Sequence, residues 1–447
     1  MMKHDSEHKY VIRINKKIVV AHIFLVLIYF VYMILGNSWF FDMASLLIFM
    51  GALLAVFKGI NDMRMKGGTL SSVFIVFYFF GLAMNCLNIS ALQEPKNLED
   101  VYYFFVGPLI FYLILKNREN KSVGFTFKPI MKINPNSLAI VLYAIYCIAE
   151  LYMFSIIGIR FTSDEWSTAE SIYYTIPGVS GLVGSISWLL LILLPEVKTK
   201  YKILFILTTF TTAVLMAKRG DAMRIIIYAM MYVLLMYKEK IFSTKVMLRF
   251  CTIILGSIII FSEWGDYRQL QRGWDVSTTV GLLLESSVEN NAVNWIFGYV
   301  GINYDVMKQF YIDKPFTGEM QEIFLPLIRI VGDSTVVKAY YDNMYIYGLN
   351  GFNAAPFIAG FIHELGPLYI INVAILAILV SVASNVCTSL NIKGGNVLLM
   401  MTTAMTFFGN YYLNVNIFYS LLISILLFGL IDIKNVDYKH EERSDCS

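Results

Sequence analysis

Apolar stretches long enough to cross a bilayer recur from Ile18 to Ile433. They break for long only once, between about Trp264 and Leu365. A run of about 17–25 apolar residues spans a hydrocarbon core roughly 30 Å thick. No water satisfies backbone N–H and C=O groups there, so such runs close their own hydrogen bonds as helices. Strands of a membrane barrel would alternate apolar and polar residues, and these runs do not. The chain is 57% hydrophobic and 15% charged, against about a quarter charged in soluble domains.

The pattern predicts an all-α polytopic membrane protein with about twelve transmembrane helices. The expected spans are 18–35, 39–57, 70–90, 101–115, 137–157, 179–194, 203–217, 222–236, 250–263, 367–386, 397–414 and 416–432. The pairs 203–236 and 397–432 read as tight hairpins. Segments 296–312 and 321–331 are apolar but short or interrupted, and they read as interfacial or re-entrant helices. Four units follow: a nine-span bundle at 1–263, a large extracytoplasmic loop at 264–366, a three-span bundle at 367–432 and a tail at 433–447.

Lysine and arginine set the orientation. With the N-terminus inside, 24 of the 35 Lys and Arg fall in the cytoplasm. Both termini are then cytoplasmic and the 264–366 loop, where acidic residues outnumber basic ones, is external. The first run reads as a retained span: Gly36-Asn37-Ser38-Trp39 leads straight into the next apolar run, with no small-residue cleavage pattern. The five cysteines, Cys86, Cys147, Cys251, Cys387 and Cys446, avoid the large loop and form no CxxC, so they suggest neither a disulfide framework nor a structural zinc. Pairs such as Trp39-Phe40, Tyr102-Tyr103, Tyr173-Tyr174 and Tyr411-Tyr412 suit interfacial belts.

Three clusters could do chemistry. Lys218-Arg219-Gly220-Asp221, with Arg224 one turn on, sits at the outer end of a hairpin, against the positive-inside trend. Guanidinium forks match phosphate oxygens bidentately, and the following helix N-terminus adds N–H donors. The alternatives are a snorkelled cluster neutralised by Asp221, or a slipped topology with the hairpin inside. Arg268 and Arg272 follow the 250–263 span, and spacing of four puts both on one helix face. They could grip a second phosphate group, or simply meet headgroups. The third cluster, His363-Glu364-Leu365-Gly366-Pro367, follows a small-residue stretch that includes Asn353. A carboxylate beside an imidazole could take a proton from a hydroxyl, and Glu364 could also hold an arginine. The alternative is an acid favoured at a helix N-terminus. Arg160, Arg329 and Tyr267 are further substrate-binding candidates. Trp264, Trp274, Trp295, Tyr340, Tyr341 and Tyr345 offer stacking faces in the loop. No P-loop, HExxH, GxSxG or dinucleotide fingerprint occurs. No outer DxD or His cluster demands a metal. No cofactor and no nucleic acid is expected.

A large loop in the second half and an Arg-Gly at the top of a mid-chain span accompany the run Asn353-Ala354-Ala355-Pro356-Phe357-Ile358-Ala359-Gly360-Phe361-Ile362-His363-Glu364-Leu365-Gly366. Together they resemble the Wzy-type oligosaccharide repeat-unit polymerases of bacteria, which make O-antigen, capsule and common antigen. The resemblance implies a GT-C-like membrane glycosyltransferase in the cytoplasmic (inner) membrane, acting on undecaprenyl-pyrophosphate-linked oligosaccharides. It also implies a flippase and a chain-length-regulating co-polymerase as partners, besides the bilayer. In that reaction an acceptor hydroxyl attacks the anomeric carbon of the growing chain, and undecaprenyl pyrophosphate leaves. Arg219 would stabilise the leaving pyrophosphate, with Lys218, Arg224, Arg268 and Arg272 sharing its charge. Glu364, with His363, would activate the acceptor. A flippase for the same lipid-linked sugars and an O-antigen ligase or related membrane glycosyltransferase stay open as alternatives.

Overall fold

The computed structural model describes residues 43–66, 68–119, 131–159, 178–216, 219–236, 262–267, 280–312, 316–331 and 354–432, with a few single positions between them. It is a helical bundle. The helices are α1 Met43–Lys66, α2 Leu70–Asn85, α3 Leu98–Arg118, α4 Pro135–Ile157, α5 Val179–Leu193, α6 Thr199–Leu215 and α7 Arg219–Met236. The second half holds α8 Asn291–Val300, α9 Asn303–Lys308, α10 Leu325–Val331, α11 Ala359–Leu365, α12 Ile370–Ser389, α13 Lys393–Ala404 and α14 Val415–Leu430. Two-residue strands, β1 Met131–Lys132 and β2 Ile431–Asp432, form one parallel pair.

Five of the described helices are long and apolar enough to cross a membrane: Ala44–Met65, Leu98–Arg118, Pro135–Ile156, Val179–Glu196 and Ala359–Ser389. Leu70–Asn85 and Val415–Leu430 are shorter apolar helices. Several helices turn bare apolar faces outward. On α4, Ile148 and Leu151 are 69% and 67% exposed, a band that suits lipid better than water. The expected span 18–35 lies outside the described residues, as does most of 250–263.

Two segments differ from expectation. The expected span 397–414 is helical only to Ala404. Twelve residues rise about 18 Å, short of the core thickness. Around that point the hydroxyls of Thr402, Thr403 and Thr406 return to carbonyls three or four residues back. The chain then turns, and the Asn414 side chain caps α14. This irregular backbone is enclosed by protein, the setting in which a membrane tolerates it. The expected span 367–386 extends backward instead. α11 leads into α12 through the short 3-10 turn Gly366–Tyr369, so the helical rod starts within the large loop.

The large loop is no separate layer. One hydrophobic core runs from Ile48 to Ile417 and takes in Val300, Tyr304, Phe310, Phe357 and Phe361. Tyr304 on α9 donates to the carbonyl of Tyr78 on α2 at 2.5 Å. Tyr369 plugs α3, which carries a π-helical turn at Tyr102–Val106. The Gly107 N–H donates to its hydroxyl at 2.8 Å, and a Cβ on Gly107 would lie 2.3 Å from its ring.

Connections gather at two ends. At the lysine-rich end Ser71 N–H donates to Glu119 at 2.6 Å, Lys198 N–H to Asn136 at 3.0 Å, and β1 pairs β2. At the loop-rich end Asn85 donates to the Gly301 carbonyl at 2.9 Å, and Phe357 N–H to the Thr406 carbonyl at 2.9 Å. The charge pattern assigns these loops to opposite sides, and their contacts separate the same way.

Candidate functional site at the loop-rich end

Arg219 opens α7, and of Arg219 only the backbone is described. Asp221 stands in the first turn, where an acid meets the positive end of the helix. Arg224, one turn on, pairs with Asp221 and donates Nε–H to the Gly220 carbonyl at 3.1 Å. Its guanidinium lies 4.9 Å from the centre of the Tyr411 ring, within cation–π range. Asp221 therefore neutralises Arg224, as in the snorkelled arrangement open from the sequence.

Tyr411 begins a ladder of rings. It stacks on Phe408 at 6.3 Å and 4°, Phe408 on Tyr299 at 5.7 Å and 16°, and Tyr299 on Trp295 at 5.8 Å and 29°. Offset-stacked rings attract at such spacings. Trp295 is buried and donates its indole N–H to Asp266 at 2.8 Å. It is a framework ring rather than an open stacking face.

Glu364 lies on the buried side of α11. Its Oε1 accepts the Glu322 N–H at 2.6 Å, and its Oε2 accepts an Asn372 amide N–H at 3.2 Å. Among the described residues no basic side chain pairs with it, and its described partners are backbone and amide donors. Glu322 adds a second buried carboxylate, which accepts from Asn410 Nδ2 at 3.1 Å. That carboxylate rests on Gly360: a Cβ there would meet Glu322 Oε2 at 1.9 Å. Gly360 and Glu364 are four residues apart, so both acids face the same side of α11. His363 packs edge-on against Phe310 at 6.0 Å. The carbonyls of His363 and Glu364 accept Thr317 and Gly318 N–H at 3.2 and 2.9 Å, stapling the preceding loop to α11.

Two clusters distant in sequence thus meet through side chains that neither contains. Arg224 lies on Tyr411, Tyr411 adjoins Asn410, Asn410 holds Glu322, and the Glu322 backbone holds Glu364. Tyr267 stands 41% exposed at the end of the helical segment 262–267. Arg329 lies on α10, with only its backbone described. Lys218, Arg268, Arg272, Arg160 and Asn353 lie outside the described residues.

Beside this site sits a charge lattice that sequence reasoning missed. Lys96 pairs with Asp305, and Asn85 and Gln93 also donate to that carboxylate. Lys308 pairs with Asp100 at 3.2 Å, and Tyr311 donates to the same Asp100. All four paired charges are at most 6% exposed. Burial raises the Asp305 carboxyl above its ordinary range, while Lys96, Asn85 and Gln93 act against that rise. Burial, then the adjoining Asp100, pushes the Tyr311 phenol far above its usual value, so it remains a donor. The sequence signal was faint: Lys96 to Asp100 is a helix-like spacing in a segment between two expected spans, and Asp305 to Lys308 is one inside an expected interfacial helix.

Compared with protein-family models, curated proteins and solved structures, the chain matches none.

Proposed function

We propose that the chain is a bacterial inner-membrane polymerase of undecaprenyl-pyrophosphate-linked oligosaccharide repeat units, with about twelve spans, a GT-C-like architecture and its loop-rich end external. The observation that supports this most is the convergence of the α7 N-terminus and α11 at that end, through Tyr411, Asn410 and Glu322. The reaction needs fixed positive charge for a leaving pyrophosphate and an acceptor for a hydroxyl proton. Arg219 is assigned to the pyrophosphate, with Lys218, Arg268 and Arg272 sharing its charge, and Arg224 shapes the Arg219 turn. Glu364 is assigned to the acceptor hydroxyl. The hydroxyl oxygen forms the new bond to the anomeric carbon, its proton passes to the carboxylate, and the bond to the pyrophosphate oxygen breaks. Charge grows on the leaving group in the transition state, so guanidinium groups lower the barrier rather than merely bind substrate. His363, packed on Phe310, would orient this end of α11. A flippase and a co-polymerase are the partners of this reading.

A surface-glycan gel from cells lacking the chain tests it. Loss of the long-chain ladder with single repeat units still at the surface is expected. Loss of all surface glycan, with lipid-linked units accumulating inside, would identify a flippase instead. An unchanged ladder would overturn the reading.

A further inference from the structure

Basic side chains are treated differently at the two ends. At the loop-rich end Lys96, Arg224 and Lys308 each pair with a carboxylate. At the lysine-rich end, among the described residues, Lys58, Arg118, Lys198, Lys200 and Lys202 have no carboxylate within ion-pair distance. Lys116 meets only Asp62, at 3.9 Å.

Two of these cations converge on one ring. Lys58 on α1 and Lys116 on α3 place their ammonium groups 5.2 and 5.3 Å from the centre of the Tyr112 ring. Lys116 also donates to the Tyr112 hydroxyl at 3.0 Å. Two ammonium groups from different helices and one hydroxyl thus gather around a single tyrosine. A helix C-terminus favours lysine, but this alone does not draw two like charges from different helices onto one tyrosine. Asp62, 3.9 Å from Lys116 and one turn beyond Lys58, supplies one negative charge against these two positive ones.

The surface beside them continues the pattern. Leu54 precedes Lys58 by one turn and is 41% exposed, while Leu113 lies on the same side of α3 as Lys116 and is 52% exposed. Phe57 and Leu109 are also exposed. Bare apolar surface ending at two cations has the polarity of a phospholipid, acyl chain first and phosphate at the end. Basic pockets between membrane helices recognise anionic headgroups in this way.

We propose that Lys58, Lys116 and Tyr112 form a site for the phosphate of an anionic phospholipid headgroup, with acyl chains lying along Leu54, Phe57, Leu109 and Leu113. The site is remote from the loop-rich end and anchors the α1–α3 pair in its leaflet.

The full-length protein, purified in a neutral detergent, is titrated with phosphatidylglycerol or phosphatidylcholine, and bound lipid is counted by native mass spectrometry. Lys58→Gln/Lys116→Gln should weaken phosphatidylglycerol binding about tenfold or more. Lys198→Gln/Lys200→Gln removes equal charge elsewhere at the same end and should change it less than about twofold. Phosphatidylcholine should bind neither form, and inorganic phosphate should not displace the lipid. Equal losses in both double variants would reduce the site to uniform surface charge and overturn the proposal, as would unchanged binding in the first. Full displacement by inorganic phosphate would overturn the lipid assignment. If the first double variant fails to fold, Lys58→Gln, at an exposed side chain, carries the test: a loss of about fivefold supports the site and unchanged binding overturns it.

Discussion

Gly360 carries the tightest steric condition in the candidate site, because the Glu322 carboxylate occupies the space of its missing Cβ. Gly360→Ala should force that carboxylate away from Asn410 and cost about 1–3 kcal/mol. Thermal unfolding in detergent checks this, and an unchanged midpoint would mean that Glu322 is not seated on α11. Arg219→Ala should abolish polymer at unchanged protein level, with Arg219→Lys restoring only part, because an ammonium lacks the planar fork. Glu364→Gln should do the same if the carboxylate takes the acceptor proton. A wild-type ladder from either loss variant removes that residue from the chemistry. Arg224 and Glu364 were legible in the sequence because each is a charge at the rim of an apolar run. Glu322 and Asn410 were not, since what marks them is a partner 88 residues away.

At the scale of elements, the Lys96–Asp305 and Lys308–Asp100 pairs bind the α2–α3 connection and the first turn of α3 to α9, and α9 follows α8, which carries Trp295 and Tyr299 of the ring ladder. Asp305→Asn should leave Lys96 buried without its counter-charge and cost about 3–5 kcal/mol, and Lys96→Met/Asp305→Leu should recover most of that. Thermal unfolding of the variants checks the pattern. A double variant no more stable than Asp305→Asn would mean that the pair contributes more than mutual neutralisation. Helices such as α1, α3, α4 and α5 were legible because apolar length alone specifies a span. The early end of α13 was not. Thr402, Thr403 and Thr406 are unremarkable inside an apolar run, and only the packed surroundings let the backbone turn there. The buried charges were not legible for the converse reason, because charges in a connection or on an interfacial helix read as solvated until their partners are placed.

For the whole molecule, the Lys and Arg pattern divides the loops into two sets and alone assigns them to sides of a membrane. Loops assigned to opposite sides by Lys and Arg alone also separate in their contacts, from Ser71–Glu119 at one end to Phe357–Thr406 at the other. The packing of the large loop into the bundle was not legible: its apolar stretches supply core, as Tyr304 and Phe361 show. Cysteines at Glu94 and Lys200 test the orientation. A membrane-impermeant maleimide should label Glu94→Cys in intact cells and Lys200→Cys only after permeabilisation, and the reverse would invert the topology. The proposed polymerase chemistry is tested most directly by reconstituting the purified protein in liposomes with undecaprenyl-pyrophosphate-linked repeat units as the only substrate. A ladder of longer lipid-linked chains, with undecaprenyl pyrophosphate released for each unit added and with neither product formed by Arg219→Ala, is the predicted result. Lipid-linked units moving across the bilayer without growing longer would contradict it.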